Sequence, residues 1–579
     1  MARSPKDTHV FLVGAGIASL SAAVHLIVDA AVDPAHVHIF DAAPVPGGCF
    51  SSAVQRTEKQ GYIVRAARKF RGTYHCLYDT LSKVPSPERA EDDGFELLQA
   101  DGEEEAAHKA GAEKDKQDSL LDYLQKHNTS VSDSGDRTVR MAVTSPHGPA
   151  AVPLDSFGLA GNHQVALMKF LMCDEAEFHG SEIQAWFEPE FFETNFWDLW
   201  SSTYVFHPWH GAVEFQRYLK RFLHDLPALK NLPGTEYTQI NDVEAMVAPM
   251  AKFLVDRGVR FISNTTVEQI LFAPDHNHIT VNRILTRQKG HPNTVEYAVQ
   301  ETDIVLVTLG AVASGISVGS NSAPPTRKCS TGQLSDWGPA WTLWGQLIDA
   351  CPVPGRLGNP LTFCTNTSRS SWLAFTVTTY EPTFVDRVLQ FCQSSNGTCP
   401  LLTFRDCPWM LTISVPRQPY FADQGKDTRV IWGYGLFPDQ DGMFSRKPME
   451  KCTGREIFYE LLGHMGMVAD ANADADGNVR GVLDNSVTIP IVMPLAGSPL
   501  LTKEKGDRPD VVPAGSRNLA LMGQFVEMER DVAFTTEYSV RSAQKAVYEM
   551  MGLDKRPPAV YGEDPTVLVL GEFMKAMMG

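Results

Sequence analysis

The sequence predicts a protein of the α/β class, in which a Rossmann-type parallel sheet is interrupted by a helical region and by a sheet-rich region. Strand and helix patterns typical of the parallel sheet occur in three separated segments, at 9–41, 243–308 and 519–550. Residues 162–232 are rich in Trp and Phe at helical spacing, and residues 330–500 mix short β-like runs with Pro and Gly turns. A nucleotide-binding fold with inserted domains explains this order better than a row of independent domains does.

The elements of the predicted parallel sheet follow from short apolar runs and from the turns that end them. A short apolar run bounded by glycine or by an acid is typical of a buried parallel strand, and a longer run with helical spacing is typical of a helix. In chain order these patterns predict a strand at His9–Val13, a helix at Ile17–Ala30, a strand at Val37–Phe40, a helix over 243–258, strands at Val259–Ile262, Ile304–Thr308 and Leu519–Met522, and a helix at Glu537–Met550.

These elements divide the chain into seven regions. The nucleotide-binding domain is predicted as three separate segments (1–80, 236–328 and 506–555), and the other regions lie between and after them. Those other regions are a charged flexible insertion (84–118), a helical substrate region (150–235), a sheet-rich substrate domain (329–505) and a C-terminal tail (556–579). The insertion is predicted from the aromatic-free run GEEEAAHKAGAEKDKQD, which offers little apolar surface to bury.

Composition excludes several classes of protein. The 579 residues include 51 basic and 69 acidic ones, and 43% are hydrophobic, which indicates a globular and acidic protein with a net charge of -18. An acidic balance argues against a nucleic-acid partner. The start MARSPKDTHV lacks the apolar stretch of a secretory signal, and the ten cysteines form no CxxC, so a cytoplasmic location with reduced thiols is expected. Histidines and acids show no HExxH-type spacing, so no metal site is predicted.

The first turn carries a dinucleotide-binding fingerprint. Gly14 permits a tight turn, and Gly16 lets the backbone approach a pyrophosphate at the N-terminus of the following helix. Ser19 occupies the third position of the motif and is small enough for close packing of helix on strand. Asp41 ends the second strand, where its carboxylate can accept hydrogen bonds from ribose hydroxyls and disfavours a 2′-phosphate. Together these residues predict a dinucleotide site that disfavours NADP.

Two further features favour FAD over NAD as the dinucleotide. Gly47 and Gly48 form a flexible turn soon after the acid, where flavoproteins often place a loop near the cofactor. The late strand that ends at Gly523 is followed by a helix, which brings a second helix N-terminus towards the cofactor. Gly310 and Gln524, which follow the strands at Ile304–Thr308 and Leu519–Met522, are further candidate cofactor contacts.

Several long segments resemble the oleate hydratase family, also called myosin-cross-reactive antigens. They are GYIVRAARKFRGTYHCLYD, ETNFWDLWSSTYVFHPWHGAVEFQRYLKRFLH, LTISVPRQPYF, WGYGLFPDQDG, GDRPDVVPAGSRNLALMGQFVE and FTTEYSVRSAQKAVYE, and they run nearly from end to end of the chain. The resemblance implies an FAD-containing enzyme that hydrates fatty-acid double bonds, with a tunnel for a long acyl chain. It also implies a homodimer, and peripheral membrane contact is a further expectation.

The first departure from the family pattern lies in a loop that, in relatives, is placed against the flavin. The family usually shows Arg-Gly-Gly-Arg-Glu, and this chain has Arg65-Ala66-Ala67-Arg68-Lys69. The family's Glu is thought to activate the attacking water, whereas a Lys is cationic at neutral pH and cannot accept a proton unless burial lowers its pKa. The resemblance implies cofactor contacts for Arg65 and Arg68, and Lys69 is a candidate catalytic residue or a partner of a flavin phosphate or of a carboxylate.

The second departure lies in the aromatic segment. Relatives carry a Tyr between two Trp residues, thought to protonate the alkene, where this chain reads Trp197-Asp198-Leu199-Trp200. Asp198 and the nearest phenol, Tyr204, are therefore the candidate acids. The alternatives are that Asp198 is a charge on a helix surface and that Tyr204 is a packing phenol.

A third departure concerns the segment that, in relatives, approaches the fatty-acid carboxylate. Some relatives show Thr-x-Asn-Arg-Gln-Pro-His, and this chain has the run SVPRQPY at 414–420. Ser414, Arg417 and Tyr420 of this run are candidate substrate contacts. Gln239, in the run TQIND, falls where relatives hold a Gln that contacts the carboxylate.

Three functions are compatible with these residues. The first is a fatty-acid hydratase of the oleate to 10-hydroxystearate type that uses Asp198 or Tyr204 with Lys69. The second is an enzyme repurposed on the same scaffold, in which proton delivery and proton loss shift a double bond of a polyunsaturated or polyketide-derived chain. The third is a flavin- and lipid-binding protein without turnover. The altered Glu and Tyr positions leave the choice between hydration and isomerisation open.

Overall fold

The computed structural model describes residues 3–50, 56–65, 70–87, 118–130, 139–145, 147–232, 234–468, 477–562 and 567–578. Arg68 and Lys69 lie outside the described residues, as does most of the predicted insertion at 84–118. Two of the candidate site residues are therefore known from the sequence alone.

The strands form four sheets. They are β1 (Val10–Val13), β2 (Val37–Phe40), β3 (Phe70–Arg71), β4 (Thr129–Ser130), β5 (Met141–Ser145), β6 (Gly148–Ala151), β7 (Thr235–Tyr237), β8 (Arg260–Ile262), β9 (Thr265–Phe272), β10 (Val281–Gln288), β11 (Thr294–Ala298), β12 (Ile304–Thr308), β13 (Ser317–Val318), β14 (Trp372–Thr379), β15 (Cys399–Phe404), β16 (Thr412–Val415), β17 (Arg429–Gly435), β18 (Ser486–Met493) and β19 (Leu519–Met522). The sheet orders are β19-β12-β1-β2-β8, β11-β10-β9, β13-β18-β14-β17-β16-β15-β5-β6 and β3-β7-β4.

The α-helices cover these sheets and fill the region between them. They are α1 (Ile17–Val28), α2 (His75–Ser82), α3 (Leu120–His127), α4 (Gly161–Met172), α5 (Asn195–Tyr204), α6 (Ala212–Arg221), α7 (Ala248–Asp256), α8 (Pro339–Ala350), α9 (Leu361–Cys364), α10 (Thr367–Ser370), α11 (Thr383–Phe391), α12 (Gly454–His464), α13 (Gly477–Asp484), α14 (Thr536–Met551) and α15 (Val567–Met578). No helix among the described residues is both long enough and apolar enough to span a membrane.

The five-stranded sheet is parallel and confirms the predicted α/β class. β1 pairs with β12 on one side, with Val10 opposite Ile304, and with β2 on the other, with Val10 opposite Val37. β19 extends the sheet beyond β12, with Val305 opposite Leu519. The order reverses between β1 and β12, and ligands of such sheets bind at this switch point, beyond the carboxyl ends of the strands.

The central strands of the parallel sheet are short, largely apolar runs, whereas the edge strand β8 begins at the exposed Arg260. β2 and β19 consist only of buried residues, and α1 and α14 pack against each other and cover one face of the sheet. The predicted helix over 243–258 begins with a π-helical turn at Val243–Val247 and continues as α7. Pro249 lacks the N–H that an unbroken α-helix would use at that position, which accounts for the irregular turn.

The sheet-rich region is one eight-stranded sheet. All eight residues of β14 are buried, and β14 lies between β17 and β18 in antiparallel register. The sheet extends beyond the predicted limits of 329–505, because β5, β6 and β13 join it from earlier in the chain. β5 pairs with β15 in parallel, which sequence periodicity could not indicate, since the two strands lie far apart in the chain.

The helical region packs against the eight-stranded sheet. The Thr194 side chain accepts a hydrogen bond from the Trp197 N–H and so caps α5, which ends at Val205 in a left-handed conformation with φ +59°. Aromatic side chains of α4, α5 and α6 form one buried cluster with residues of the eight-stranded sheet. This contact brings the end of α5 against the sheet and towards the parallel strands.

Candidate functional site

One cavity of about 560 Å³ connects the first glycine turn to the helical and sheet-rich regions. At one end it is lined by the β1–α1 turn and by the ends of β2, β12 and β19. At the other end it is lined by aromatic residues of the inserted regions. Because a single space touches both, a molecule bound at the parallel sheet would be close to one bound among the aromatic side chains.

The glycine turn is built for close approach of a ligand. Gly14 has φ +94°, which only glycine adopts readily, and Gly16 begins α1 without a side-chain cap, so the first N–H groups of the helix remain available. The Gly47 N–H donates to Ala15 O at 2.8 Å. This hydrogen bond holds the second glycine loop (Gly47–Gly48) against the first (Gly14–Gly16). Gly48 has φ +54°, and a Cβ there would lie 2.9 Å from the Gly16 Cα.

Asp41 lies at the carboxyl end of β2 and lines the cavity. Its carboxylate accepts hydrogen bonds from the N–H groups of Ala15 at 2.5 Å and Ala43 at 2.7 Å. Burial raises the pKa of Asp41, against the effect of these two backbone hydrogen bonds. A carboxylate has about four lone-pair positions, so two remain for ribose hydroxyls. The glycine cradle and this acceptor therefore fit an adenine dinucleotide.

Of the remaining predicted cofactor residues, four line the cavity, Ser19 does not, and Arg68 lies outside the described residues. Gly310, Gln524, Gly48 and Arg65 line it. Ser19 is fully buried outside the lining, and its Oγ lies 3.2 Å from the Thr308 Oγ1. Ser19 thus joins α1 to β12, which corresponds to the packing role expected of the third position of the motif.

The other end of the cavity is an aromatic wall with contributions from two regions. Trp372 of β14 and Trp432 and Tyr434 of β17 come from the eight-stranded sheet. The ring of Tyr434 lies 5.3 Å from that of Trp372 and 5.2 Å from that of Trp432. Tyr204 of α5 and Phe222, which follows α6, supply the facing side. Such a wall can pack a long apolar chain and presents π faces to any positive charge that develops in it.

Tyr204 is the candidate acid that the structure places at this wall. Its ring stacks on Phe222 at 4.8 Å, and its hydroxyl is buried without a hydrogen-bond partner among the described residues. Burial raises the pKa of Tyr204, and the nearby charge of Arg71 offsets only some of this effect. The phenol therefore stays protonated at neutral pH and can act as a proton donor.

Two buried arginines near Tyr204 were not singled out from the sequence. Arg71 lines the cavity and is paired with Asp225. Arg140 is 2% exposed and donates to the carbonyls of Leu401 at 3.1 Å and Leu229 at 3.4 Å, and to the Thr203 Oγ1 at 3.1 Å. Arg71 lies inside a segment that carries the family resemblance, which was a usable signal, whereas no local pattern marks Arg140.

Asp198 lies outside the lining of the cavity. Its carboxylate forms an ion pair with the Arg405 guanidinium at 2.7 Å, and its side chain is 14% exposed. Burial raises the pKa of Asp198 to about 6, although the Arg405 charge lowers it. Arg405 in turn donates to the Asn195 side chain at 2.9 Å. The structure thus separates Asp198 from Tyr204, with only Tyr204 at the cavity.

The four predicted substrate contacts lie together but not on the cavity. The N–H of Asn241, two residues after Gln239, donates to Tyr420 O at 2.9 Å, which joins the two predicted segments. The Ser414 Oγ is buried and donates to Cys399 O at 3.3 Å, whereas Arg417 is exposed. None of the four is among the described residues that line the cavity.

Comparison with known proteins agrees with the resemblance found in the sequence. The profile of the MCRA family matches residues 7–111 and 107–548. The chain is 28% identical to an oleate hydratase of Streptococcus pyogenes serotype M49 (strain NZ131), over 95% of this chain and 86% of that protein. It is 27% identical to a linoleate hydratase of Lactiplantibacillus plantarum, over 96% of each. Among solved structures, cyclohexylamine oxidase from Brevibacterium oxydans IH-35A aligns over 94% of this chain and 99% of its own, with 12% identity and a TM-score of 0.49. The matched residues span nearly the whole sequence, and the chain belongs to the MCRA family.

Proposed function

We propose that this protein is an FAD-dependent fatty-acid hydratase, which adds water to a cis double bond of an unsaturated fatty acid to give a product of the 10-hydroxystearate type. The observation that carries the proposal is the single cavity that joins the dinucleotide turn to the aromatic wall. Two relatives that align with nearly the whole chain are named as hydratases of oleate and linoleate, which supports the same substrate class.

Proton delivery is assigned to Tyr204. Its hydroxyl has no other partner among the described residues, and it stays protonated at neutral pH. Transfer of this proton to one alkene carbon leaves positive charge on the other, and the facing rings of Trp372 and Trp432 would stabilise that charge. Each cation–π contact is worth about 0.5–2 kcal/mol, depending on desolvation.

The cofactor is assigned to the glycine end of the cavity. Gly14, Gly16 and Gly48 would receive the pyrophosphate, and Asp41 would accept hydrogen bonds from the ribose. Water addition involves no net oxidation, so FAD would supply a binding surface and local electrostatics instead of electrons. Arg65, which also lines the cavity, provides positive charge on this side.

Product analysis tests the proposal directly. FAD-loaded protein is incubated with oleate, linoleate and a conjugated polyene, and the products are analysed by mass spectrometry. Hydration adds the mass of one water, a shifted double bond leaves the mass unchanged, and a protein without turnover leaves each substrate intact. Only the first outcome with oleate or linoleate supports the hydratase assignment.

The pH dependence of turnover distinguishes the two candidate acids. With Tyr204 as the donor, turnover is expected to persist between about pH 7 and 9, because the raised pKa keeps the phenol protonated above the ordinary tyrosine value of about 10. With Asp198 as the donor, the active form would be the protonated acid, so turnover would fall as the pH rises above its pKa of about 6. Initial rates measured across this range, with flavin content checked at each pH, decide between the two residues.

A double-bond isomerase is the second candidate, and one observation favours it. Among the described residues that line the cavity, Asp41 is the only carboxylate, and it lies at the dinucleotide end. Asp198 is engaged by Arg405 outside the lining, so it does not replace the water-activating Glu of relatives. A site that delivers a proton from Tyr204 but holds no carboxylate to activate water would shift a double bond of a polyunsaturated or polyketide-derived chain, with the Tyr204 phenolate taking up the proton that the adjacent carbon loses.

The substitution Lys69→Glu separates these two functions. In a hydratase, the new carboxylate is expected to raise water addition to oleate by about tenfold, because it restores the group that relatives use. In an isomerase, it is expected to slow the native reaction, since one unit-charge interaction at a few ångströms is worth about 4 kcal/mol at an effective dielectric constant of 20. Lys59→Glu, at an exposed position ten residues earlier, is the control. An unchanged rate and product in Lys69→Glu would contradict both expectations.

A cytoplasmic homodimer that touches membranes peripherally completes the proposal. The homodimer is inferred from the family resemblance. Membrane contact is supported by exposed apolar side chains, since Leu568 of α15 is 80% exposed and Met172 of α4 is 69% exposed. Long fatty acids partition into membranes, so contact with a bilayer would give the enzyme access to its substrate.

A further inference from the structure

A second, smaller cavity of about 280 Å³ has a basic lining. Four of its nine lining residues are basic and two are acidic, in a protein whose net charge is -18. The basic residues are Arg217, Lys220, Arg221 and Arg530, and the acidic ones are Asp174 and Glu175. A local excess of positive charge around an enclosed space is a feature of anion sites.

The helix α6 forms a wall between the two cavities. Tyr218 lines the large cavity, as does Phe222 directly after the helix, while Arg217, Lys220 and Arg221 line the small one. At about 100° per residue, the two sets point in directions about 130° apart, so they follow different faces of the helix. The basic lining is therefore separate from the aromatic wall and from the dinucleotide end.

Of the two acidic side chains that line this cavity, Glu175 is paired with Arg217, and Asp174 accepts a hydrogen bond from the Ala176 N–H at 2.9 Å. Arg217 donates to Glu175 at 2.6 Å and to Glu527 at 2.8 Å. Arg221 donates to the backbone carbonyls of Tyr561 at 2.5 Å and Thr73 at 3.2 Å, and its buried Nε has no partner among the described residues. Backbone carbonyls carry no full charge, and no carboxylate among the described residues forms an ion pair with Arg221, although its charge acts on Asp225.

The Lys220 ammonium forms neither a hydrogen bond nor an ion pair within the stretches of chain that the structure describes. Burial lowers its pKa, and the positive charges of Arg530 and Arg217 add to this effect, against the opposite influence of Glu175 and Asp174. Lys220 and Arg221 lie in the last turn of α6, where cations interact favourably with the carbonyl end of a helix. This interaction is one reason for basic residues at these two positions that involves no ligand. Arg530 comes from a different segment, however, and has a left-handed backbone with φ +61°, a conformation that residues other than glycine seldom adopt.

We propose that this second cavity binds the phosphate group of a small molecule or of a lipid headgroup. Arg530 and Lys220 would provide the charge, since guanidinium and ammonium groups are the side chains that bind phosphate most strongly. Val560 and Tyr561 give the cavity an apolar side that can contact the organic portion of the ligand. The proposal concerns a site distinct from the one assigned to hydration, and only the use of FAD-loaded protein in its test rests on the proposed function.

Calorimetric titration of FAD-loaded protein with pyrophosphate at low ionic strength tests this site. Bound FAD occupies the dinucleotide end, so pyrophosphate reports on the second cavity. We expect saturable binding of one pyrophosphate per chain and at least about tenfold weaker binding in the double variant Lys220→Gln, Arg530→Gln, because charged hydrogen bonds are lost. Lys252→Gln removes a charge that is paired with Asp256 on an exposed helix face and is expected to leave binding unchanged.

A second measurement uses the native protein alone. Cys173 lines the cavity, and Cys329 is exposed elsewhere. Pyrophosphate is expected to slow alkylation of Cys173 several-fold without slowing that of Cys329. Two competitors of pyrophosphate binding identify the source of the phosphate group. If vesicles of equal parts phosphatidylcholine and phosphatidic acid displace pyrophosphate, the ligand is a lipid headgroup. If only glycerol 3-phosphate displaces it, the ligand is a soluble phosphate ester. Absence of saturable binding, equal weakening in Lys252→Gln, or unprotected Cys173 would overturn the proposal.

Discussion

Replacing Tyr204 by Phe is expected to lower turnover by at least about 100-fold while leaving FAD content unchanged, since a positioned acid contributes roughly 100- to 10,000-fold. The substitution removes only the hydroxyl, and the ring keeps its stacking on Phe222. Because the hydroxyl has no partner among the described residues, its loss breaks no native hydrogen bond. A loss of turnover without a loss of stability therefore reports on proton delivery.

Two variants control for this result. Tyr380→Phe removes another phenol, one that donates to Glu58 O at 2.9 Å and does not line the cavity, and turnover is expected to stay within about threefold. Asp198→Asn weakens the pair with Arg405 and is expected to affect stability more than turnover. Rates are measured at saturating substrate, with flavin absorbance and thermal unfolding recorded for each protein. Wild-type turnover in Tyr204→Phe, or its loss in Asp198→Asn alone, would transfer the acid role away from Tyr204.

The substitution Gly48→Ala is expected to yield protein that has lost most of its FAD. Gly48 has φ +54°, and the new Cβ would lie 2.9 Å from the Gly16 Cα, at the point where the pyrophosphate is expected to rest. A left-handed conformation at a residue other than glycine costs about 1–3 kcal/mol. If the Gly48 loop moves to relieve this strain, FAD binding must restore the strained conformation, and the affinity for FAD becomes about 10- to 100-fold weaker. The ratio of flavin to protein absorbance after purification measures the effect.

Gly72→Ala is the matched control, because a Cβ at Gly72 would meet no atom within 4 Å. That variant is expected to remain yellow and to keep its thermal stability. Both proteins are also reconstituted with excess FAD, so that weak binding is distinguished from misfolding. Normal flavin content in Gly48→Ala would show that the two glycine loops can separate without harm to the site.

The parallel sheet could be predicted closely because its signals are local. Val37–Phe40, Ile304–Thr308 and Leu519–Met522 are strands with the bounds expected from their apolar runs. The eight-stranded sheet was predicted only as a region, because its strand order depends on pairing between distant segments. β5 and β15 illustrate this, since nothing in either run specifies the other.

The candidate site also has one part that local sequence predicts and one part that it does not. The dinucleotide end is a local motif, so Gly14, Gly16 and Asp41 could be identified from their spacing. The aromatic wall combines Trp372 and Trp432, which lie sixty residues apart on different strands. Asp198 and Tyr204 are six residues apart on α5, which places their side chains about 120° apart around the helix axis. Sequence reasoning identified both as candidate acids, but helix geometry lets only one of them face the cavity.

The position of β19 beside β12 has a consequence for how the protein is made. Val305 pairs with Leu519, which the ribosome adds about 210 residues later, when about nine-tenths of the chain has been synthesised. Gln524 and Ser539, which close the dinucleotide end, emerge later still. Loop closure over such separations is entropically unfavourable and slow. Until β19 is available, the earlier strands of the parallel sheet are therefore incomplete, and the edge of β12 is unpaired. We therefore expect the nascent chain to bind the proposed FAD only after translation ends, and to depend on chaperones until then.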